Sequence, residues 1–283
     1  MWRAGPVATM RFASPRAMIF DTDGVITRTA TVHAAAWKAT FDQYLRDRAD
    51  AGGDPFVPFS DQDYTRYVDG RARFDGVEAF LRSRGITLPR GDPDDLPRLD
   101  TTCGLGNRKN EHFLAKLQRH GVQPFESTLD LIRDLRRHGI ATAAVSASEN
   151  CAAVLQAAGA AELFDVRVDG VDAKRLGLAG KPDPALFLEA VRRLGVGPAD
   201  AVVVEDALAG VDAGHRGGFG LVVGVDRTGI GEALASGGAD VVVRDLAELH
   251  VDADGIWILD ADEQLSGRPR RGPESGRNQA GTE

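Results

Sequence analysis

The chain has 283 residues, 43% hydrophobic and 6% aromatic, enough to bury one large core or two modest ones. A formal net charge of -8 excludes a basic footprint for nucleic acid or an anionic membrane, so an anionic substrate must be attracted locally. No apolar run of about 18 residues occurs, which excludes a spanning helix, and Cys103 and Cys151 lack CxxC spacing, which points to a reducing compartment, here the cytoplasm.

Residues 1–15 carry arginines and no acids but lack the continuous apolar segment of a secretory signal. They read as a disordered leader, with Met10 as a second candidate start. The first apolar run, AMIF, ends at Phe20 and is followed at once by Asp21, Thr22, Asp23 and Gly24. In an extended backbone, residues i and i+2 project to the same side, so Asp21 and Asp23 crowd one another unless a metal, a lysine or a proton intervenes. A solvated turn is the plainer reading. A calcium loop fails because neither its glycine nor its closing glutamate falls at the required offsets.

From residue 31 to 123 only helical patterns occur, among them TVHAAAWKATFDQYLRDRA, DGVEAFLRSRG and NRKNEHFLAKLQRHG. This stretch reads as a helical cap inserted after the first strand. Trp37, Phe41 and Leu45 at four-residue spacing supply its packed face. After it, apolar runs alternate with helical segments: GIATAAVS from Gly139, AVVVED from Ala201, FGLVVGV from Phe219 and ADVVVRD from Ala239. The helical segments between them close on Gly139, Gly159 and Gly195, as helix C-termini tend to. The alternation predicts an α/β fold, a Rossmann-like parallel sheet core covered on both faces and built from residues 16–30 and 124–250. VVV at 202–204 and at 241–243 is expected to be buried on both sides. Residues 251–265 form a C-terminal extension in which WIL suggests an edge strand, its acids only superficially a metal loop. Residues 266–283, rich in Gly, Pro, Arg and Ser, read as a disordered tail.

Ligands of open parallel sheets bind beyond the carboxyl ends of the strands. Those ends carry Asp21 and Asp23, then Ser146, Ala147, Ser148, Glu149 and Asn150, then Glu205 and Asp206, while Lys181 stands in GKPDP ahead of a helix. Asp21, Glu205 and Asp206 offer hard oxygen ligands suited to Mg²⁺. Lys181, the Ser146 hydroxyl and backbone amides near Ala147 suit phosphate oxygens. An aspartate attacking phosphorus and a second serving as acid and base complete a phosphoryl transfer. Plainer roles exist for each: Ser146 as a helix N-cap, Lys181 as a surface lysine, and Glu205 with Asp206 as helix-start acids.

FDTDGVI, VSAS, GKPDP and VVVEDALAG resemble, in order, the four motifs of the haloacid dehalogenase superfamily. A closer resemblance, over roughly residues 16–247, is to its β-phosphoglucomutase-like branch with a helical cap. His33 and Trp37 match a cap helix of that branch, VDGRARFDG its cap loop with Gly70 and Arg73, and GLGNRKNEHF a later cap helix with Arg108, Lys109 and Asn110. The resemblance implies Asp21 as phosphorylated nucleophile and Asp23 as general acid and base. It implies Mg²⁺ held by Asp21, the Asp23 carbonyl and Asp206 with Glu205 near, and phosphate contacts from Ser146, Ala147 and Lys181. His33, Trp37, Gly70, Arg73, Ser148 and Asn150 are its substrate contacts. For His33 and Trp37 packing alone is the rival account; Arg73 also suits a charged surface, and Arg108 and Lys109 are expected to be solvated.

Three positions depart from that pattern. Arg28 stands where an acid often follows the first motif, Glu149 where a basic residue occurs, and Asp69 where a lysine is found, with Arg71 two residues on. The expected partner is a small phosphorylated sugar, handled by a monomer or weak oligomer: β-glucose 1-phosphate in a mutase, or a sugar phosphate in a phosphatase. A phospho-accepting receiver domain is a remote rival, for which a cap and a second aspartate have no use.

Overall fold

The computed structural model describes residues 10–13, 15–252 and 255–258. Among these residues nine strands are present: β1 (Met10–Ala13), β2 (Ala17–Asp21), β3 (Ala141–Val145), β4 (Val166–Val168), β5 (Ala201–Glu205), β6 (Leu221–Val225), β7 (Val241–Val243), β8 (Leu249–Asp252) and β9 (Gly255–Ile258). β2 to β7 form one parallel sheet in the order β4-β3-β2-β5-β6-β7. Sequential strands run outward from β2 on one side and from β5 on the other, so the direction of winding reverses between these two. Such a switch point leaves a crevice at the strand ends, and Asp21 and Glu205 end the two strands that flank it.

Every residue of β2, β5 and β6 is buried, because helices cover both faces. One face packs Met18, Phe20, Val204 and Val223 against Leu129, Ile132 and Leu135; the other packs Ile19 and Val203 against Leu186, Phe187 and Ala190. Full burial of each such side chain stabilises by about 1.5–3 kcal/mol. At 241–243 the structure differs from expectation: Val241 and Val242 are only half-buried, because β7 is the last strand of the sheet. β1, β9 and β8 form a separate antiparallel sheet in that order. Residues 10–13, expected within a disordered leader, are therefore a strand, held by its pairing with β9. The extension reading of WIL coincides in part with β9, and Ile256 joins the core around Phe20. The rest of the leader, residues 259–265 and the expected tail at 266–283 lie outside the described residues.

Ten α-helices follow in chain order among the described residues: α1 (Ala30–Asp50), α2 (Asp61–Asp63), α3 (Arg73–Ser83), α4 (Thr102–His120), α5 (Glu126–Arg137), α6 (Cys151–Ala157), α7 (Gly170–Leu176), α8 (Ala185–Leu194), α9 (Leu208–Arg216) and α10 (Gly231–Ser236). α1 to α4 lie between β2 and β3, and a π-helical turn, Tyr64–Val68, continues α2. Their own apolar cluster contains Trp37, Phe41, Phe59, Phe80 and Leu105, with the Phe41 and Phe80 rings 4.2 Å apart. Two linkers join these helices to the sheet and pair with each other: the Arg28 amide donates to Gln123 O (2.8 Å) and the Phe125 amide to Ile26 O (2.9 Å). The Arg28 guanidinium lies 4.2 Å from the Phe125 ring centroid, and Arg227 lies 3.8 Å from the same ring. Arg28 thus belongs to the hinge and does not line the cleft.

Candidate active site

Asp21 ends β2 because four buried apolar residues precede it, and the register that aligns Phe20 with Val204 brings it level with Glu205. Lys181, 2% exposed, lies between them: its Nζ bonds Asp21 Oδ1 and donates to Glu205 Oε1 at 2.6 Å. The second oxygen of each acid is also held, Asp21 Oδ2 by the Asp23 amide (2.9 Å) and Glu205 Oε2 by the Ala207 amide (2.8 Å). Two glycines make the cluster sterically feasible. Gly24 sits at φ +89°, and a Cβ there would fall 1.7 Å from Asp206 Oδ2. At Gly210 a Cβ would fall 1.7 Å from Glu205 Oε1.

Oxygens of Asp21, Glu205 and Asp206 lie within 4.8 Å of one another. Burial pushes the Asp21 carboxyl well above its usual value; Lys181 opposes this, and Glu205 and Asp23 add to it. Asp206 is raised too, by burial and then by Asp69 and Glu205. One lysine does not offset this much buried negative charge. The donor set, all hard oxygens in a partly dry pocket, fits a small divalent cation.

Asp23 lies in a different environment. Its Oδ1 accepts from the Thr29 hydroxyl and stands 3.4 Å from His33 Nε2. Burial alone raises its carboxyl, but His33 and the Thr29 hydrogen bond outweigh burial and bring it down to about 2. His33 is backed by Lys109, with Nζ to Nδ1 at 2.6 Å. A protonated Lys109 donating there leaves the imidazole proton on Nε2, facing Asp23. Burial, then Lys109, lowers His33, and burial pushes Lys109 itself down to about 7.

Lys109 overturns the expectation of a solvated side chain. It is 5% exposed and lies 5.0 Å from the ring centroids of both Trp37 and Phe113. Arg108 is also not free, its Nε donating to Pro97 O at 2.7 Å. Trp37 packs in the helical cluster and also lines the cleft, so the two accounts of it coexist. Lys109→Met is expected to raise the His33 pKa, because a repelling cation leaves; the imidazole titration followed by NMR would remain in place if the contact carried no charge.

The third strand end supplies the Ser146–Asn150 loop. Ser146 does not cap a helix, since α6 starts at Cys151 after Asn150. Instead its Oγ accepts from the Ser148 amide (3.1 Å), while the Ala147 amide has no partner among the described residues. Asn150 Nδ2 donates to Asn110 Oδ1 at 2.8 Å, joining this loop to α4. Arg73, at the start of α3, reaches Asn107 Oδ1 (3.0 Å) and Glu149 Oε2 (2.7 Å). Gly70, in the loop ahead of α3, meets the sheet side: a Cβ there would lie 3.0 Å from that of Ala207.

A cleft of about 630 Å³ joins these groups. Asp21, Asp23, His33, Trp37, Gly70, Arg73, Ser146, Ala147, Ser148 and Asp206 line it. Lys181, Glu205 and Asn150, all expected at the site, are not among the residues that line it. Thr29, Tyr64, Asn107, the burial of Lys109 and the half-buried setting of Asp69 were missed by sequence reasoning. The spacing of Lys109 and Phe113, one turn apart, carried a signal for Lys109. Asp69 is pushed up to about 7, by burial first, with Tyr64 opposing and Glu205 adding to the rise.

Residues 15–218 match the haloacid dehalogenase-like hydrolases. The chain belongs to this family. A protein named beta-phosphoglucomutase from Mycobacterium bovis is 48% identical over 238 residues, 83% of this chain and 91% of its own length. A Mycobacterium tuberculosis protein named as an uncharacterized glycosyl hydrolase is 40% identical over 254 residues, 90% of this chain but 19% of that protein. Among solved structures, a beta-phosphoglucomutase from Clostridium difficile superposes with a TM-score of 0.65 at 25% identity, over 83% of this chain and 93% of that one. The fold is thus α/β and Rossmann-like, and the chain is an enzyme of the phosphotransferase or phosphatase type. No helix among the described residues is long and apolar enough to cross a membrane.

Proposed function

We propose that the chain is a Mg²⁺-dependent phosphosugar phosphotransferase that works through an aspartyl-phosphate at Asp21, and that it interconverts β-glucose 1-phosphate and glucose 6-phosphate. The observation that carries this reading is the division between two carboxylates on one strand end. Asp21 faces Lys181 and an acid cluster, whereas Asp23 faces Thr29, His33 and Lys109. Environments this different suit different roles. The 48% identity to a protein named beta-phosphoglucomutase supports the choice of sugar.

Asp21, the Asp23 carbonyl and Asp206 would hold the ion, with Glu205 near. The ion supplies positive charge that offsets the phosphate dianion and the crowded carboxylates. Lys181 holds Asp21 and, with Ser146 and the Ala147 amide, receives phosphate oxygens. Asp21 attacks phosphorus, and the leaving sugar oxygen takes a proton from Asp23. In the return half, Asp23 takes a proton from the other sugar hydroxyl, which attacks the aspartyl-phosphate and regenerates Asp21. Held at about 2, Asp23 is ready as the base. Its acid half requires a proton taken up beforehand, and the charges on His33 and Lys109 that hold Asp23 ionised have to be lost for that proton to stay. Trp37 and the Gly70 loop would exclude water during transfer.

A phosphatase of the same family is the second reading, favoured by the carboxylate of Glu149 on Arg73, where a second phosphate would need a cation. Incubation with β-glucose 1-phosphate, Mg²⁺ and a trace of glucose 1,6-bisphosphate separates the two. Glucose 6-phosphate should form with little free phosphate; free phosphate without isomerisation would assign the phosphatase.

A further inference from the structure

We propose that Glu149 sets the preference of the distal end of the cleft, as a resident counter-anion for Arg73 that a second anionic group of the substrate has to displace. The assignment rests on the phosphosugar reading above. Arg73 is fixed from its own side of the cleft. One guanidinium nitrogen donates to Asn107 Oδ1, and the Asn107 amide nitrogen donates to Pro93 O and Asp95 O, both at 2.9 Å, which sets the amide's orientation. Glu149 comes from the opposite side, in the loop after β3. Its backbone is held: a Cβ on Gly170 would fall 2.7 Å from the Glu149 amide, so the start of α7 packs directly on this loop.

Exposure differs between the partners. The Arg73 side chain is 18% exposed and that of Glu149 42%, so the carboxylate can turn to solvent while the guanidinium stays in place. An exposed pair of this kind is weakly held. A neutral hydroxyl at this end leaves the pair intact, because it offers no charge to replace the carboxylate. A phosphate brings up to two charges and oxygens that match the guanidinium fork, so it exchanges with Glu149. Arg71 and Lys174 line the same cleft without an ion pair of their own among the described residues, and so add attraction once the exchange occurs. Until Glu149 turns away, its charge repels the incoming phosphate.

The test is calorimetric titration, with Mg²⁺ present, of the full chain carrying Asp21→Asn, which binds without phosphoryl transfer, alone and combined with Glu149→Gln or Glu149→Ala. The probes are glucose 1,6-bisphosphate and inorganic phosphate, the latter having a single anionic group that can fill the Asp21 end without displacing Glu149. Both variants should bind the bisphosphate roughly 5- to 20-fold more tightly, with inorganic phosphate unchanged within about twofold. Glutamine keeps the size of the side chain, and alanine removes any new hydrogen bond, so agreement between them isolates the charge. Unchanged or weaker bisphosphate binding in both variants, with phosphate binding intact, would overturn the role of Glu149 and leave the phosphosugar reading standing. If Asp21→Asn binds neither probe and the unaltered chain forms no glucose 6-phosphate, the reading itself fails and this assignment with it.

Discussion

Asp21→Asn is expected to abolish turnover, by roughly 10⁴-fold or more, since losing the proposed covalent nucleophile removes the reaction path itself. The amide is nearly the same size as the carboxylate and keeps an oxygen for Lys181, so the sheet around β2 should persist. Lys181 would still pair with Glu205. Thermal unfolding should therefore change little, and the neutral side chain also relieves the crowding that raises Asp21 and Asp206. Brief incubation with labelled glucose 1,6-bisphosphate should leave hydroxylamine-sensitive label on the unaltered chain and none on the variant. Label persisting in Asp21→Asn would move the nucleophile elsewhere, with Asp23 the first place to look.

The parallel sheet and the strand-end acids were legible because their signals are local. A run such as AVVVE can be buried only in a sheet covered on both faces, and a charged residue after such a run has nowhere to go but the edge. Asp21, Ser146, Glu205 and Asp206 could be read in this way, and Lys181, ahead of a helix, from its place in GKPDP. The strand at Met10–Ala13 could not, because its partner β9 lies near the other end of the chain and nothing in MRFA announces a remote pairing. Sequence likewise cannot say which edge a strand occupies, so Val241 and Val242 looked as buried as Val202 and Val203.

Lys109 shows a second kind of blindness. A lysine in a charged helical segment defaults to solvent, and only the packing of α1 against α4 places it on His33, over Trp37 and Phe113. Glu149 and Arg73 show a third. Their residue types suggested an acid out of place at a basic position on one side and a surface cation on the other, whereas the structure pairs them across the cleft. In each case the missing information is a contact between segments far apart in sequence. The sequence names the chemical groups, and the tertiary fold determines which of them neutralise one another.

Lys181→Met should destabilise the protein by about 3–5 kcal/mol at neutral pH, the cost of leaving buried carboxylates without their partner. For a chain of this size that corresponds to a fall in Tm of about 6–20 °C. The pH dependence gives the mechanism. Burial alone lowers Lys181, but Asp21 and Glu205 outweigh it and raise its pKa above the ordinary 10.5. Its contribution is thus fully present below that value and lost only as pH rises through the still higher folded value, so it is flat between about pH 5 and 9. In the variant, the Asp21 carboxyl, already lifted by burial, loses the cation that opposed the lift. The folded state then binds a proton that the unfolded chain has released, and stability falls as pH rises. The deficit relative to the unaltered protein should be small near pH 5 and large near pH 8, read from Tm in metal-free buffer. A deficit constant across that range would mean that methionine disturbs packing only. Turnover should be lost at every pH, because a protonated carboxyl does not replace the ammonium group that the proposed mechanism assigns to phosphate.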